Sequence, residues 1–229
     1  MKLPFEYYAF FDVDDTLINI KSMFSFMTYF AEHAPIDYAF KQGKSMRLHH
    51  EFISLANSSG NRKIVNKAYY RQFAGVPVEI FDRLAASWAI LQENRMDELL
   101  IKSTVQALKQ HKQEGGGIVF VSGSFPQALA PFMQALEADH CLASQLVINN
   151  GILTGEIGQP QTIGEGKAIA IREFLHAQSV ASTQCFAYGD DISDVPMLKE
   201  VGTAAIIQGN KLLEIEADVH QWQRLPINA

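Results

Sequence analysis

Apolar and polar positions along this 229-residue chain change rhythm twice. Residues 7–11 form an apolar run that reads as a short buried strand and stops on a cluster of acids, Asp12, Asp14 and Asp15. From residue 22 to about residue 113 the apolar positions recur at helical spacing. Phe24, Met27 and Ala31 share one face until Pro35 ends a first helix, and residues 36–55 form a second that runs into the polar loop 57–60. Ile64, Val65, Ala68, Tyr69 and Phe73 mark a third, closed by Gly75. Pro77 opens a fourth carrying Ile80, Phe81, Leu84, Ala85, Trp88 and Leu91. A fifth, with Met96, Leu99, Leu100, Val105 and Leu108, ends at the glycines 115–117.

Beyond that point strands and helices alternate. The pattern predicts buried strands at 118–121 and 185–188, a short strand at 204–207, and helices at 126–136 and 168–175. Asn150-Gly151 between two apolar runs predicts a tight hairpin. The expected fold class is therefore α/β, a mostly parallel sheet interrupted early by an all-helical insertion.

Composition narrows the function classes. A hydrophobic content of 48% and a charged content of 19% describe an ordinary globule. A net charge of −6 without a basic cluster argues against nucleic acid as partner. No apolar run approaches the ~20 residues of a membrane span, and Glu6 and Asp12 interrupt any leader-like start. Cys141 and Cys185 have no partner at metal or redox spacing, which fits a reduced cytoplasmic setting. Oligomeric state is not legible here.

The candidate chemistry lies where strands end. Alternate residues of an extended segment share a side, so Asp12 and Asp14 face one pocket while Val13 and Asp15 face away. Paired carboxylates repel unless a shared proton or a cation relieves them, and a hard ion such as Mg2+ takes oxygen ligands. Strand 118–121 ends in Ser122-Gly123-Ser124-Phe125-Pro126, a hydroxyl and a flexible glycine at a helix start, which suits an anion; Ser124 as a helix cap is the plain alternative. Lys167 follows Gly164-Glu165-Gly166 at another helix start, where its charge opposes the helix dipole and calls for an anion nearby. Strand 185–188 ends in Gly189 followed by Asp190, Asp191 and Asp194. All four segments sit where open α/β sheets gather their ligands.

These segments, in this order, resemble the four motifs of the haloacid dehalogenase-like (HAD) phosphohydrolases. Asp12-Val13-Asp14-Asp15-Thr16 matches the first motif, Ser122 the second, Lys167 the third, and Gly189, Asp190 and Asp194 the fourth. The helical insertion behind the first motif and the Asn150-Gly151 hairpin are similar to the phosphoserine phosphatase-like branch. The resemblance implies a Rossmann-like, doubly wound core formed by residues 1–18 and 108–229, and a helical cap over 19–107 serving as a substrate lid.

It further implies an aspartyl-phosphate mechanism: Asp12 as nucleophile, Asp14 as general acid and base, and Mg2+ held by Asp12, Asp190 and the backbone carbonyl of Asp14. Ser122, Gly123 and Lys167 would bind phosphate, Thr16 would orient Asp14, and Asp194 would support the metal or Lys167. Asp191 falls outside the motif. The expected activity is hydrolysis of a small phosphorylated metabolite; phosphotransfer to an acceptor alcohol and a non-catalytic binding protein of this fold are the alternatives. The presence of Asp14 sets the chain apart from the metal-free dehalogenases, whose halide leaves without a proton.

The substrate is less legible. Where phosphoserine phosphatases place a glutamate that reads the amino group, this chain has Lys21, which disfavours phosphoserine. Arg47, with His49 and His50, is a further candidate for reading substrate from the lid. Phe24, Phe26, Tyr29 and Phe30 are expected as lid core.

Overall fold

The apolar run at the start of the chain becomes β1 (Tyr8–Phe11), and all four of its residues are buried. In this computed structural model, which describes residues 5–40 and 43–227, β1 lies at the middle of a six-stranded sheet. Tyr8 and Phe10 belong to one apolar cluster, Ala9 and Phe11 to another. Both faces of the sheet are therefore covered, which is why the strand reads as continuously apolar.

Among the described residues the chain next forms α1 (Ser22–His33), α2 (Gly43–Ser58), α3 (Arg62–Arg71), α4 (Val78–Glu93), the single turn α5 (Met96–Leu99) and α6 (Lys102–Gln113). Then follow β2 (Gly117–Ser122), α7 (Pro126–Leu136), β3 (His140–Ala143), the hairpin β4 (Leu146–Asn149) and β5 (Ile152–Ile157), and α8 (Glu165–Gln178). The chain continues through β6 (Phe186–Gly189), α9 (Val195–Leu198), β7 (Thr203–Ile207), α10 (Lys211–His220) and β8 (Gln223–Leu225). The sheet order is β3-β2-β1-β6-β7-β8, every pair is parallel, and the hairpin stands apart. Connections leave β1 and β6 towards opposite edges, so the strand order reverses between them and opens a crevice at their carboxyl ends.

The expected fifth helix is two elements. Leu100 is extended, with φ −74 and ψ 133, and bridges antiparallel to Ile18. Ile101 N–H donates to Leu17 O at 2.9 Å and Asn19 N–H to Leu99 O at 2.8 Å, so the two chain crossings into the insertion run side by side. The expected boundary at 107/108 falls inside α6, which packs on β2. The first part of the expected second helix is not helical: residues 37–40 form a turn, residues 41 and 42 lie outside the described residues, and α2 starts at Gly43.

Insertion and sheet share one apolar cluster. Phe26, Phe81 and Trp88 pack around each other, and Phe26 and Phe81 both meet Phe125, at the start of α7, edge-on at 5.3 and 5.1 Å. The hairpin docks on the insertion as well: Gly75 N–H donates to Leu153 O at 2.8 Å and Val78 N–H to Gly151 O at 2.9 Å. Strands β3 and β8 and helix α10 were not legible in the sequence. Both strands are short and lie at the sheet edges, and α10 buries Leu213 and Ala217 while exposing Leu212, Ile215 and Val219, so its apolar period is blurred. Among the described residues, no helix is long and apolar enough to cross a membrane.

Candidate active site

Asp12 is the first residue past β1, and its N–H still donates to Tyr188 O of β6 at 2.9 Å. This last rung fixes Asp12 beside Asp190, the first residue past β6. Both acids stand at the crevice that the topology creates.

Lys167 enters from the first turn of α8, buried to 4% exposure. Its Nζ donates to Asp12 Oδ1 at 2.5 Å and to Asp194 Oδ1 at 2.7 Å. These two buried carboxylates are the anionic partners that the place of Lys167 at a helix start demanded. Gly166 makes the placement possible, because a Cβ there would stand 1.7 Å from Gln161 O. Burial works against the charge on Asp12, yet the Lys167 ammonium holds its carboxyl below the usual range.

Asp194 is a scaffold for the loop. Its Oδ2 accepts the N–H groups of Asp190 and Asp191 at 3.2 and 3.1 Å, while Oδ1 takes Lys167. Gly189 accommodates this fold-back, since a Cβ there would lie 2.7 Å from Asp194 Cβ. Asp191 is occupied elsewhere: Arg62 Nη1 lies 2.9 Å from its Oδ1, and Asn210 donates to Oδ2 at 3.1 Å.

Thr16 takes a different role from the expected one. Its Oγ1 lies 3.0 Å from Asp190 Oδ1 and 3.4 Å from Asp12 Oδ2, so it links these two acids and leaves Asp14 to another residue. That residue is Ser22, whose N–H and hydroxyl lie 3.0 Å from Asp14 Oδ2. The turn between them is tight, with Asp15 at φ +64. Asp14 Oδ1 is buried without a hydrogen-bond partner among the described residues. Burial, with the Asp12 charge beside it, pushes the Asp14 carboxyl up to about 7.

Ser122 and Gly123 form the floor opposite. Ser122 Oγ accepts the Ser124 N–H at 3.1 Å, and Ser124 Oγ accepts the Ser22 hydroxyl at 3.1 Å. Ser124 is therefore part of the site and makes no side-chain cap on α7. The insertion grips the same floor: Asn66 Nδ2 and the Tyr70 hydroxyl donate to Gly123 O at 3.0 and 3.2 Å.

Carboxylate oxygens of Asp12, Asp190 and Asp194 lie within 4.8 Å of one another. Burial, then the Asp12 and Asp194 charges, push Asp190 up to about 8. Crowded buried oxygens with one acid resisting ionisation form a hard donor set that fits a divalent cation. Asp194 accepts three protein donors, two of them main-chain N–H groups of its own loop, which ties it to the scaffold more firmly than Asp12 or Asp190.

This constellation matches the family expected from the motifs, and the sequence matches haloacid dehalogenase-like hydrolases over residues 9–199. The chain belongs to the HAD-like hydrolases. A probable phosphatase of Mycobacterium tuberculosis is 30% identical over 234 residues, spanning 93% of this chain and 73% of that protein. A Bordetella pertussis protein of unknown function has the same fold with a TM-score of 0.78, at 20% identity over 97% of this chain and 99% of its own. A substrate-bound phosphoserine phosphatase aligns with a TM-score of 0.64 at 17% identity, over 96% and 92% of the two chains. The fold is thus shared with phosphoserine phosphatases.

The cleft above the acids has a volume of about 280 Å³, and Lys21 lines it. Arg47 does not. It is exposed on α2 and absent from the cleft wall, as are His49, stacked on Phe40 at 5.1 Å, and the exposed His50. Of the first-helix aromatics, Phe26 and Phe30 are core, whereas Phe24 is 43% exposed and faces the cleft. Sequence reading missed Ser22, Arg62 and Asn66. Only the Asn61 cap that starts α3, accepting from the N–H groups of Lys63 and Ile64, hinted at Arg62.

Proposed function

We propose that the protein is a Mg2+-dependent phosphatase that hydrolyses a small-molecule phosphomonoester through an aspartyl-phosphate on Asp12. The observation that carries this reading is the division of labour between two neighbouring acids. Asp12 is kept ionised by Lys167, while Asp14 is held by Ser22 at one oxygen and left with the other free. An ionised carboxylate is a nucleophile, and a carboxyl that keeps its proton near neutrality is an acid.

A carboxylate oxygen of Asp12 attacks phosphorus, and the bond to the leaving oxygen breaks as Asp14 gives that oxygen its proton. Asp14 then takes a proton from a water that attacks the phosphorus, and Asp12 is released. Ser122, the N–H groups about Gly123 and the Lys167 ammonium bind the non-bridging oxygens, which gain charge in the transition state. Asp12, Asp190 and the main-chain carbonyl of Asp14 would hold Mg2+, which when bound neutralises charge on the transferred group. The helical insertion acts as a lid that keeps bulk water away and reads the leaving group.

The test is phosphate release from a panel of phosphorylated metabolites, with Mg2+ and with chelator, for the parent and Asp12→Asn. Metal-dependent turnover that disappears in Asp12→Asn is expected. Turnover that survives this substitution would remove Asp12 as nucleophile. Phosphorylated acceptor appearing when alcohols are added would move the reading to a phosphotransferase.

A further inference from the structure

Among the described residues, the lid side of the cleft carries two cations and no acid. Lys21, just before α1, and Arg62, at the start of α3, both line the cleft. Among the described lining residues the only carboxylates are Asp12 and Asp14, on the opposite floor. Between the cations runs an apolar wall that includes Met23, Phe24 and Val65.

Each cation is anchored from behind with donors to spare. Lys21 Nζ lies 2.6 Å from Asp15 Oδ2, and Asp15 is outside the cleft. Arg62 spends Nη1 on Asp191 Oδ1 at 2.9 Å and Ser193 Oγ at 3.0 Å. Among the described residues, its Nη2 and Nε make no hydrogen bond to protein, so one edge of the guanidinium remains for a planar anion. Both positive groups line the same cleft. Like charges held together beside a cleft favour an anion that bridges them.

We infer that the substrate is a phosphomonoester whose leaving group carries a second anionic group, a carboxylate or a phosphate, on a compact apolar body, and that Lys21 and Arg62 select it. The inference rests on the phosphatase reading above and gives it a substrate class. A leaving group bearing an ammonium meets Lys21 and Arg62 on the lid side, with Asp12 and Asp14 on the opposite floor, so the lid side disfavours it. The volume of about 280 Å³ suits a small-molecule leaving group.

The experiment uses three aryl phosphates of similar shape: 4-carboxyphenyl phosphate, phenyl phosphate and 4-(aminomethyl)phenyl phosphate. Parent, Lys21→Met and Arg62→Met are compared by kcat/KM, and calorimetric affinities are measured on Asp12→Asn. The carboxylate compound is expected to exceed phenyl phosphate by about ten- to a hundredfold, with the ammonium compound last. Either methionine substitution is expected to collapse the carboxylate-to-phenyl ratio towards one. Equal kcat/KM for all three in the parent overturns the inference and leaves the phosphatase reading intact. An equal loss on all three substrates in Arg62→Met also overturns it, because the arginine then serves the transferred phosphoryl group. No hydrolysis and no binding of any of the three would overturn both readings. Selective binding of the carboxylate compound without hydrolysis would keep the selectivity and remove the catalysis.

Discussion

Ser22 holds Asp14 twice at the same oxygen: its N–H and its hydroxyl both lie 3.0 Å from Asp14 Oδ2. The other oxygen is buried and has no partner among the described residues, and Asp14 lines the cleft. This pairing fixes which oxygen carries the proton, because an oxygen accepting two hydrogen bonds is the poorer base. Ser22→Ala removes the hydroxyl and leaves Ser124 Oγ without that donor. A loss in kcat of about tenfold or more is expected, with a smaller change in KM, measured by steady-state phosphate release. An unchanged kcat would show that Asp14 is oriented without the hydroxyl.

Lys167 is the cation that lets Asp12 and Asp194 be buried together. Lys167→Met leaves both carboxylates uncompensated in the interior. The metal-free protein is expected to lose about 3–5 kcal/mol of stability in urea unfolding, and activity is expected to fall at least about a hundredfold. A stable, fully active variant would contradict both the structural and the catalytic role.

Mg2+ binding should register in stability without any turnover. At a concentration about 100 times its Kd a ligand adds about 2.7 kcal/mol, which for a chain of this length is a Tm rise of roughly 5–10 °C. Mg2+ is expected to raise the Tm of the parent, chelator to reverse the rise, and Asp190→Asn to abolish it. The same Mg2+ response in Asp190→Asn would exclude Asp190 as a ligand.

His111 gives a pH dependence away from the active site. It is buried, with Nε2 2.8 Å from the Tyr188 hydroxyl and Nδ1 3.2 Å from the Tyr7 hydroxyl. Burial lowers its pKa, so below about 6.5 the unfolded chain takes up the proton first. The stability it contributes is therefore present above about pH 6.5 and is lost as pH falls from there towards the lower folded value. Urea unfolding at pH 7.5 and 5.5 should show parent stability falling more than that of His111→Gln, with an extra slope of at most about 1.4 kcal/mol per pH unit. Identical slopes would show that His111 is not the linked group.

Asp12, Ser122, Lys167 and Asp190 stood out in the chain because each lies at the end of a strand, one step beyond one, or at the start of a helix, where the local period changes. Charge and residue type said that paired acids and a misplaced lysine need partners, and the roles expected of them came from the resemblance to the HAD motifs. Thr16 shows the limit of such reading. The resemblance implied Asp14 as its partner, yet beyond the turn at Asp15 its hydroxyl lies within reach of Asp12 and Asp190.

The amino-acid sequence by itself determined the α/β alternation, the helical insertion and the identity of the acids and the lysine, because these depend on periodicity and on residues within a few positions. Tertiary structure decided what brings them together. Lys167 meets Asp12 across 155 positions, and Arg62 meets Ser193 across 131. No local pattern encodes such pairings. They arise because parallel strand order places distant loops at one edge, and because the aromatic cluster shared by insertion and sheet sets which lid side chains reach the cleft. Lys21 and Arg62 reach it by that packing; Arg47, on an exposed stretch of α2, does not.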